Sequence, residues 1–146
     1  MGGKISWVVI PPDEAPAEPV EHSQGARMAV LIGPQQGAPR FYTRRFMLAP
    51  GGSIPAHRHA TIEHQQVVVR GEMVMTLDGV ERVVRAGDAV FIPAGTVHGY
   101  ANRSAEEEVE FLCIVPATSH YHTEWLGGAA EGTAVGGDSG TALGER

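Results

Sequence analysis

The sequence predicts a single all-β domain, and three observations carry that reading. Short runs rich in β-branched and aromatic residues recur at close, even spacing. Gly, Pro and an Asp-Gly pair punctuate them. No segment of ten or more residues shows a helical period. Together they describe a β-sandwich or barrel. At 146 residues the chain suits one domain with a sizeable core.

Taken in order, Ile5–Ile10 reads as a strand of good β-formers. Pro11–Glu21 holds four prolines and four acids, and reads as a loop. Ala26–Ile32 is a second strand, ended by Gly33-Pro34, and Phe41–Leu48 a third, ended by Pro50-Gly51-Gly52. Gln65–Val69 and Glu72–Leu77 follow, with Gly71 as the turn between them. Asp78-Gly79 is a hairpin signal leading into Glu81–Arg85. Ala89–Ile92, Val97–Ala101 and Val109–Val115 complete the set. From Gly127 to Arg146 the chain is Gly/Ala/Ser/Thr-rich, which predicts a disordered tail. The expected division is residues 1–22 as N-terminal strand and Pro-rich loop, 23–117 as barrel, and 118–146 as a C-terminal segment.

Composition narrows the function. A net charge of -6 without any Lys/Arg run disfavours nucleic acid and anionic membranes as partners. The single cysteine, Cys113, rules out an internal disulfide and fits a reducing compartment. No signal-peptide pattern or long apolar run is present, so the expectation is a cytoplasmic protein. There is no Gly-rich phosphate loop and no Gly-x-Ser-x-Gly elbow.

The chemistry concentrates in four histidines. His57, His59 and His64 fall within eight residues, and His98 follows 34 residues after His64, behind Pro93-x-Gly95. Imidazole is the commonest protein ligand for first-row transition metals. Residues i and i+2 of a strand face the same way, so His57 and His59 can reach one ion while Arg58 points elsewhere.

The stretch Gly87-x5-Pro93-x-Gly95-x2-His98-x3-Asn102 resembles the second cupin motif at each fixed position. Gly51-x5-His57-x-His59, closing on Gly71, resembles the first. The strand pattern extends the resemblance over Ile5–Ala117. It implies a double-stranded β-helix, or jelly-roll barrel, with the ligands inside near one mouth. Cupins usually place a Glu with six residues between it and the closing Gly, where this chain has His64; Glu63 is the rival ligand. His64 fits the spacing to Gly71, and the set His57, His59, His64 and His98 is similar to that of the small four-histidine cupins. That resemblance implies manganese. Nitrogen-donor chemistry alone points to Fe, Ni, Cu or Zn. One divalent metal per chain is expected.

Four neutral ligands leave the ion's charge uncompensated and favour anionic ligands, and a six-coordinate ion keeps two positions for substrate and dioxygen, peroxide or water. Alternation places Val109, Phe111, Cys113 and Val115 inside, with Phe111 and Cys113 as candidate pocket walls beside Ile54. If His64 faces in, so does Gln66, as a hydrogen-bond partner for a bound ligand. Of Arg44 and Arg45 one faces in, and the resemblance selects Arg44 as an anion anchor. His22, His120 and His122 read as loop residues. Outward Leu112 and Ile114 need cover from a second subunit or the N-terminal strand, and such cupins are commonly homodimers.

The expected function is a metal-dependent oxidoreductase of the dioxygenase type acting on a small organic substrate. The alternatives are a non-redox isomerase or lyase, and a ligand-binding module without turnover. No general acid or base inside the barrel is evident, so catalytic residues beyond the ligands are not assigned.

Overall fold

In the computed structural model, which describes residues 5–127, the short runs pair into one ten-stranded sheet that curls on itself. The strands are β1 (Ala17–Pro19), β2 (Gln24–Ile32), β3 (Phe41–Arg58), β4 (His64–Arg70), β5 (Glu72–Leu77), β6 (Val80–Arg85), β7 (Ala89–Ile92), β8 (His98–Ala101), β9 (Val109–Pro116) and β10 (Glu124–Trp125). Across the sheet they run β6-β5-β8-β3-β9-β4-β7, with β2 and β10 also on β3, and β1 on β2. Every pairing is antiparallel, and most neighbours are distant in sequence. This is the single all-β domain that the punctuated short strands predict, in the jelly-roll form that the resemblance implies. Among the described residues no helix is long and apolar enough to cross a membrane.

Two-residue alternation decides what lies inside. On β9, Val109, Phe111, Cys113 and Val115 are buried while Glu110, Leu112 and Ile114 are half-buried. On β4, His64, Gln66 and Val68 are buried and Gln65, Val67 and Val69 exposed. The inward aromatic side chains stack through the barrel, Phe46 on Phe111 at 5.0 Å and Phe111 on Tyr100 at 4.9 Å between ring centroids. Offset stacking adds to the gain from burying their apolar area.

Three expectations are corrected. Ile5–Ile10 is not a strand: it has no ladder partner among the described residues, and Trp7 and Val9 are 85% and 79% exposed. Good β-formers alone do not make a strand without a neighbour to take their hydrogen bonds. The Pro11–Glu21 loop contains a 3-10 turn at Pro12–Glu14 and the short β1, an outer-edge strand where Pro19 is tolerated. The break expected after Leu48 is a change of partner, not an end. β3 is opposite Ala26 and Val109 at Leu48, then opposite Ala101 at Ser53. Pro50 has no N–H to donate and Gly51 takes φ 76°, so the ladder lapses and the strand bends on into its second half.

The segment after the barrel also differs from expectation. His120 and His122 lie in a loop as read, but the chain then returns as β10, pairing Glu124 with Arg58 and Trp125 with His57. The disorder expected in the tail concerns residues 128–146, which lie outside the described part.

Two glycines show different reasons for their identity. Gly79 completes the Asp78-Gly79 turn, with φ 49° and 83° at the two positions and open space around it. Gly71 has φ 82°, and a Cβ there would stand 2.5 Å from the Glu108 carbonyl. Gly79→Ala is expected to lose about 1 kcal/mol from backbone strain alone, and Gly71→Ala roughly 3 kcal/mol from strain plus the clash. Urea denaturation of both variants checks the difference.

Candidate metal centre

The site forms where the second half of β3 meets β8. His57 stands opposite His98 in the ladder, and Tyr100, two residues on, stands opposite Ile54. His57 is on β3, His59 is just past its end, and both are buried, while Arg58 between them turns out to pair with Glu124 at 2.7 Å. One ring nitrogen from each of His57, His59 and His98 lies within 4.8 Å of the others.

Hydrogen bonds assign the proton in these rings. Nδ1 of His57 lies 2.7 Å from the Pro55 carbonyl and Nδ1 of His98 2.9 Å from the Thr96 carbonyl. Nδ1 of His59 lies 3.2 Å from the His122 carbonyl and 3.3 Å from the Thr123 hydroxyl. A carbonyl only accepts, so Nδ1 carries the proton and the ligating lone pair is on Nε2. Metal-bound histidines are oriented in this way.

Burial favours the neutral form of His98 and His64. It pushes His98 down to about 4, with the Arg44 cation adding to the effect against the Thr96 hydrogen bond. His64 is held well below its ordinary value, first by burial and then by neighbouring positive charge. Neutral imidazole is the ligating form, so the donor set fits a divalent transition metal.

His64 is buried, as its spacing to Gly71 implied, and Glu63 beside it is exposed. The His64 ring approaches those of His59 and His98 at 5.0 and 5.2 Å between centroids, but it does not join the three-nitrogen group at 4.8 Å. Its Nδ1 finds no hydrogen-bond partner among the described residues.

The histidines line a cavity of about 10 Å³ together with Val20, Arg44, Phe46, Ile54, Gln66, Tyr100 and Trp125. That is room for about one water. Arg44 is the buried member of its pair and Arg45 turns out to Glu110. Arg44 donates to Cys113 Sγ at 3.3 Å and lies over the Phe46 and Tyr121 rings. Gln66 Nε2 donates to the Tyr100 hydroxyl at 2.7 Å and to Cys113 Sγ at 3.4 Å. Arg44, Ile54 and Gln66 therefore line the cavity, while Phe111 and Cys113 form the layer behind it. Asn102, the last motif position, is structural: its amide donates to the Leu48, Ala49 and Glu107 carbonyls.

Sequence reasoning missed Val20, Tyr100, Thr123 and Trp125. Alternation from His98 was a usable signal for Tyr100. The others come from outside the expected barrel and carry no periodic signal. Trp125 packs its ring 4.8 Å from His57 and 4.7 Å from His22.

Residues 44–115 match the family model described as a cupin domain. The chain superimposes on the polyketide cyclase RemF of Streptomyces resistomycificus with a TM-score of 0.72 and 30% identity, covering 77% of this chain and 81% of that one. The tetracenomycin polyketide synthase protein TcmJ of Streptomyces glaucescens is 29% identical over 109 residues, 70% of this chain and 73% of that protein. The dimethylsulfoniopropionate lyase DddW of Ruegeria pomeroyi is 33% identical over 97 residues, 61% of this chain and 63% of the lyase. The chain spans between 61% and 73% of the curated relatives it matches.

The buried neutral histidines make the metal-free protein sensitive to acid. The unfolded chain binds protons at these rings near pH 6.5 while folded His98 resists them to about pH 4. Stability contributed there is full above pH 6.5 and lost as pH falls towards 4. For His98 alone the expected loss is roughly 3 kcal/mol, measurable by denaturant titration of metal-free protein at pH 7 and pH 4.5.

Proposed function

The chain belongs to the cupin superfamily, and we propose that it is a metal-dependent enzyme that uses Lewis-acid chemistry on a small, oxygen-rich organic substrate. The observation that carries this is the buried trio His57, His59 and His98, each with Nδ1 committed to a carbonyl. In this reading His64 is the fourth ligand and the metal is manganese, as in the four-histidine cupins. The likeness to the polyketide cyclase RemF supports a cyclisation of a polyketide-type substrate, that to the polyketide synthase protein TcmJ supports the same substrate class, and that to DddW supports a lyase reaction. A dioxygenase is the second reading, since the same ligands serve oxygen chemistry.

A bound divalent ion supplies Lewis acidity towards a carbonyl oxygen. The chain's own groups then set the direction of the chemistry. Tyr100 keeps its proton, because burial and then Cys113 push its pKa up. With Gln66 donating to its oxygen, its hydroxyl is left to donate to a substrate oxygen. Arg44 brings a fixed positive charge to a lining that, among the described residues, contains no carboxylate. Such a lining stabilises an enolate-type oxyanion.

Elemental analysis of protein purified without a tag or added metal is expected to find about one divalent ion per chain. His98→Ala is expected to lose the metal. His64→Ala is expected to retain it with lowered affinity, because the trio His57, His59 and His98 remains. Failure of the unaltered protein to take up Mn, Fe, Ni, Cu or Zn would overturn the enzyme reading. Turnover of β-dicarbonyl substrates without oxygen supports Lewis-acid chemistry, whereas strict dependence on oxygen uptake selects the dioxygenase.

We also propose a homodimer. Phe91, Val67 and Phe41 are exposed on the outer face of β7, β4 and β3, next to half-buried Leu112 and Ile114. Exposed apolar area of this kind marks an association surface. Light scattering should return twice the chain mass of 15.5 kDa, and a value of 15.5 kDa overturns it.

A further inference from the structure

Three buried polar atoms without a hydrogen-bond partner among the described residues belong to side chains of one cavity: Nδ1 of His64, Oε1 of Gln66 and Nε1 of Trp125. Buried polar atoms are nearly always paired. Their gathering around one cavity is what a binding site presents to its ligand. His64 and the amide nitrogen of Gln66 already have roles in the reading above; the Gln66 carbonyl, on a side chain expected from the sequence to meet a bound ligand, and the Trp125 N–H have none.

Their chemistry specifies complementary groups. An indole N–H can only donate. Trp125 holds it in place, with the ring set between those of His22 and His57. The amide nitrogen of Gln66 is committed to Tyr100 and Cys113, so its carbonyl is the end left to accept. The cavity therefore asks for an acceptor oxygen and a hydroxyl donor, beside the Arg44 cation and away from any carboxylate.

We propose that Trp125 and Gln66 are substrate-binding residues. The indole N–H donates to a carbonyl or carboxylate oxygen, and the Gln66 carbonyl accepts from a hydroxyl of the same compound. The ligand class is thus a hydroxy acid or an enolised dicarbonyl. This rests on the reading that the substrate binds at the histidine cluster. A ligand larger than one water must displace part of the wall. The strap of residues 121–127, which carries Trp125, is joined to the barrel by two ladder positions, backbone bonds to the Ala56 carbonyl, the half-exposed Arg58–Glu124 pair, and the contacts of His122 and Thr123 to His59 Nδ1. The strap opens to admit the ligand and closes with its N–H on the ligand oxygen.

The test uses glycolate and acetate, which differ by one hydroxyl, titrated by calorimetry into metal-loaded and metal-free full-length protein. Glycolate is expected to bind about tenfold more tightly than acetate, the scale of one hydrogen bond. Gln66→Met should abolish that preference. Trp125→Phe, which keeps an aromatic ring on the strap and removes the N–H together with part of the indole, should weaken both acids about tenfold. Equal affinity of the two acids for the unaltered protein overturns the Gln66 assignment even if a variant fails to fold. Unchanged affinity in Trp125→Phe overturns the Trp125 assignment. Metal content measured on the same samples separates these failures from failure of the metal reading.

Discussion

The register of β3 is the constraint on which the rest depends. This one strand makes ladders with β2, β8, β9 and β10. Its two-residue period therefore sets the inward face for most of the barrel. Arg44, Phe46 and Leu48 enter from its first half and Ile54 and His57 from its second. A slip of one residue would exchange Arg44 for Arg45 and His57 for Arg58, removing the cation and a ligand from the cavity at once. The bend at Pro50-Gly51 lets both halves address the same interior.

Around the histidines, burial and hydrogen bonding act in the same direction. Charged imidazoles would be costly in this interior, and the carbonyls of Pro55, Thr96 and His122 accept only from a protonated Nδ1. Neutrality and tautomer are thus imposed before any ion arrives. A cation bound by the three nitrogens would recover the free energy spent on burying them together, which would couple metal affinity to folding.

The C-terminal strap ties the ligand shell to the cavity wall. His122 and Thr123 hold His59, and Trp125 packs on His57. A movement of this segment that admitted a substrate would also loosen the partners of His59. Metal and substrate binding are expected to influence each other through it by reciprocal linkage.

Much of this was legible in the sequence because it is local. Strand alternation, the Asp78-Gly79 turn and the ligand spacing each act over a few residues, so Cys113 inside, Glu63 outside and Arg44 over Arg45 could be read from parity and resemblance. What was not legible depends on contacts between distant segments. Ile5–Ile10 has the composition of a strand and lacks the neighbour that would make it one. β10 has no strand-like composition beyond Trp125, yet it pairs because the free edge of β3 lies beside it. The sequence by itself determined the fold class and the histidines, through side-chain period and backbone allowance. Only the tertiary structure decided that Val20, Tyr100 and Trp125 share the cavity with them, because closure of a curled sheet brings together residues that no short-range period relates.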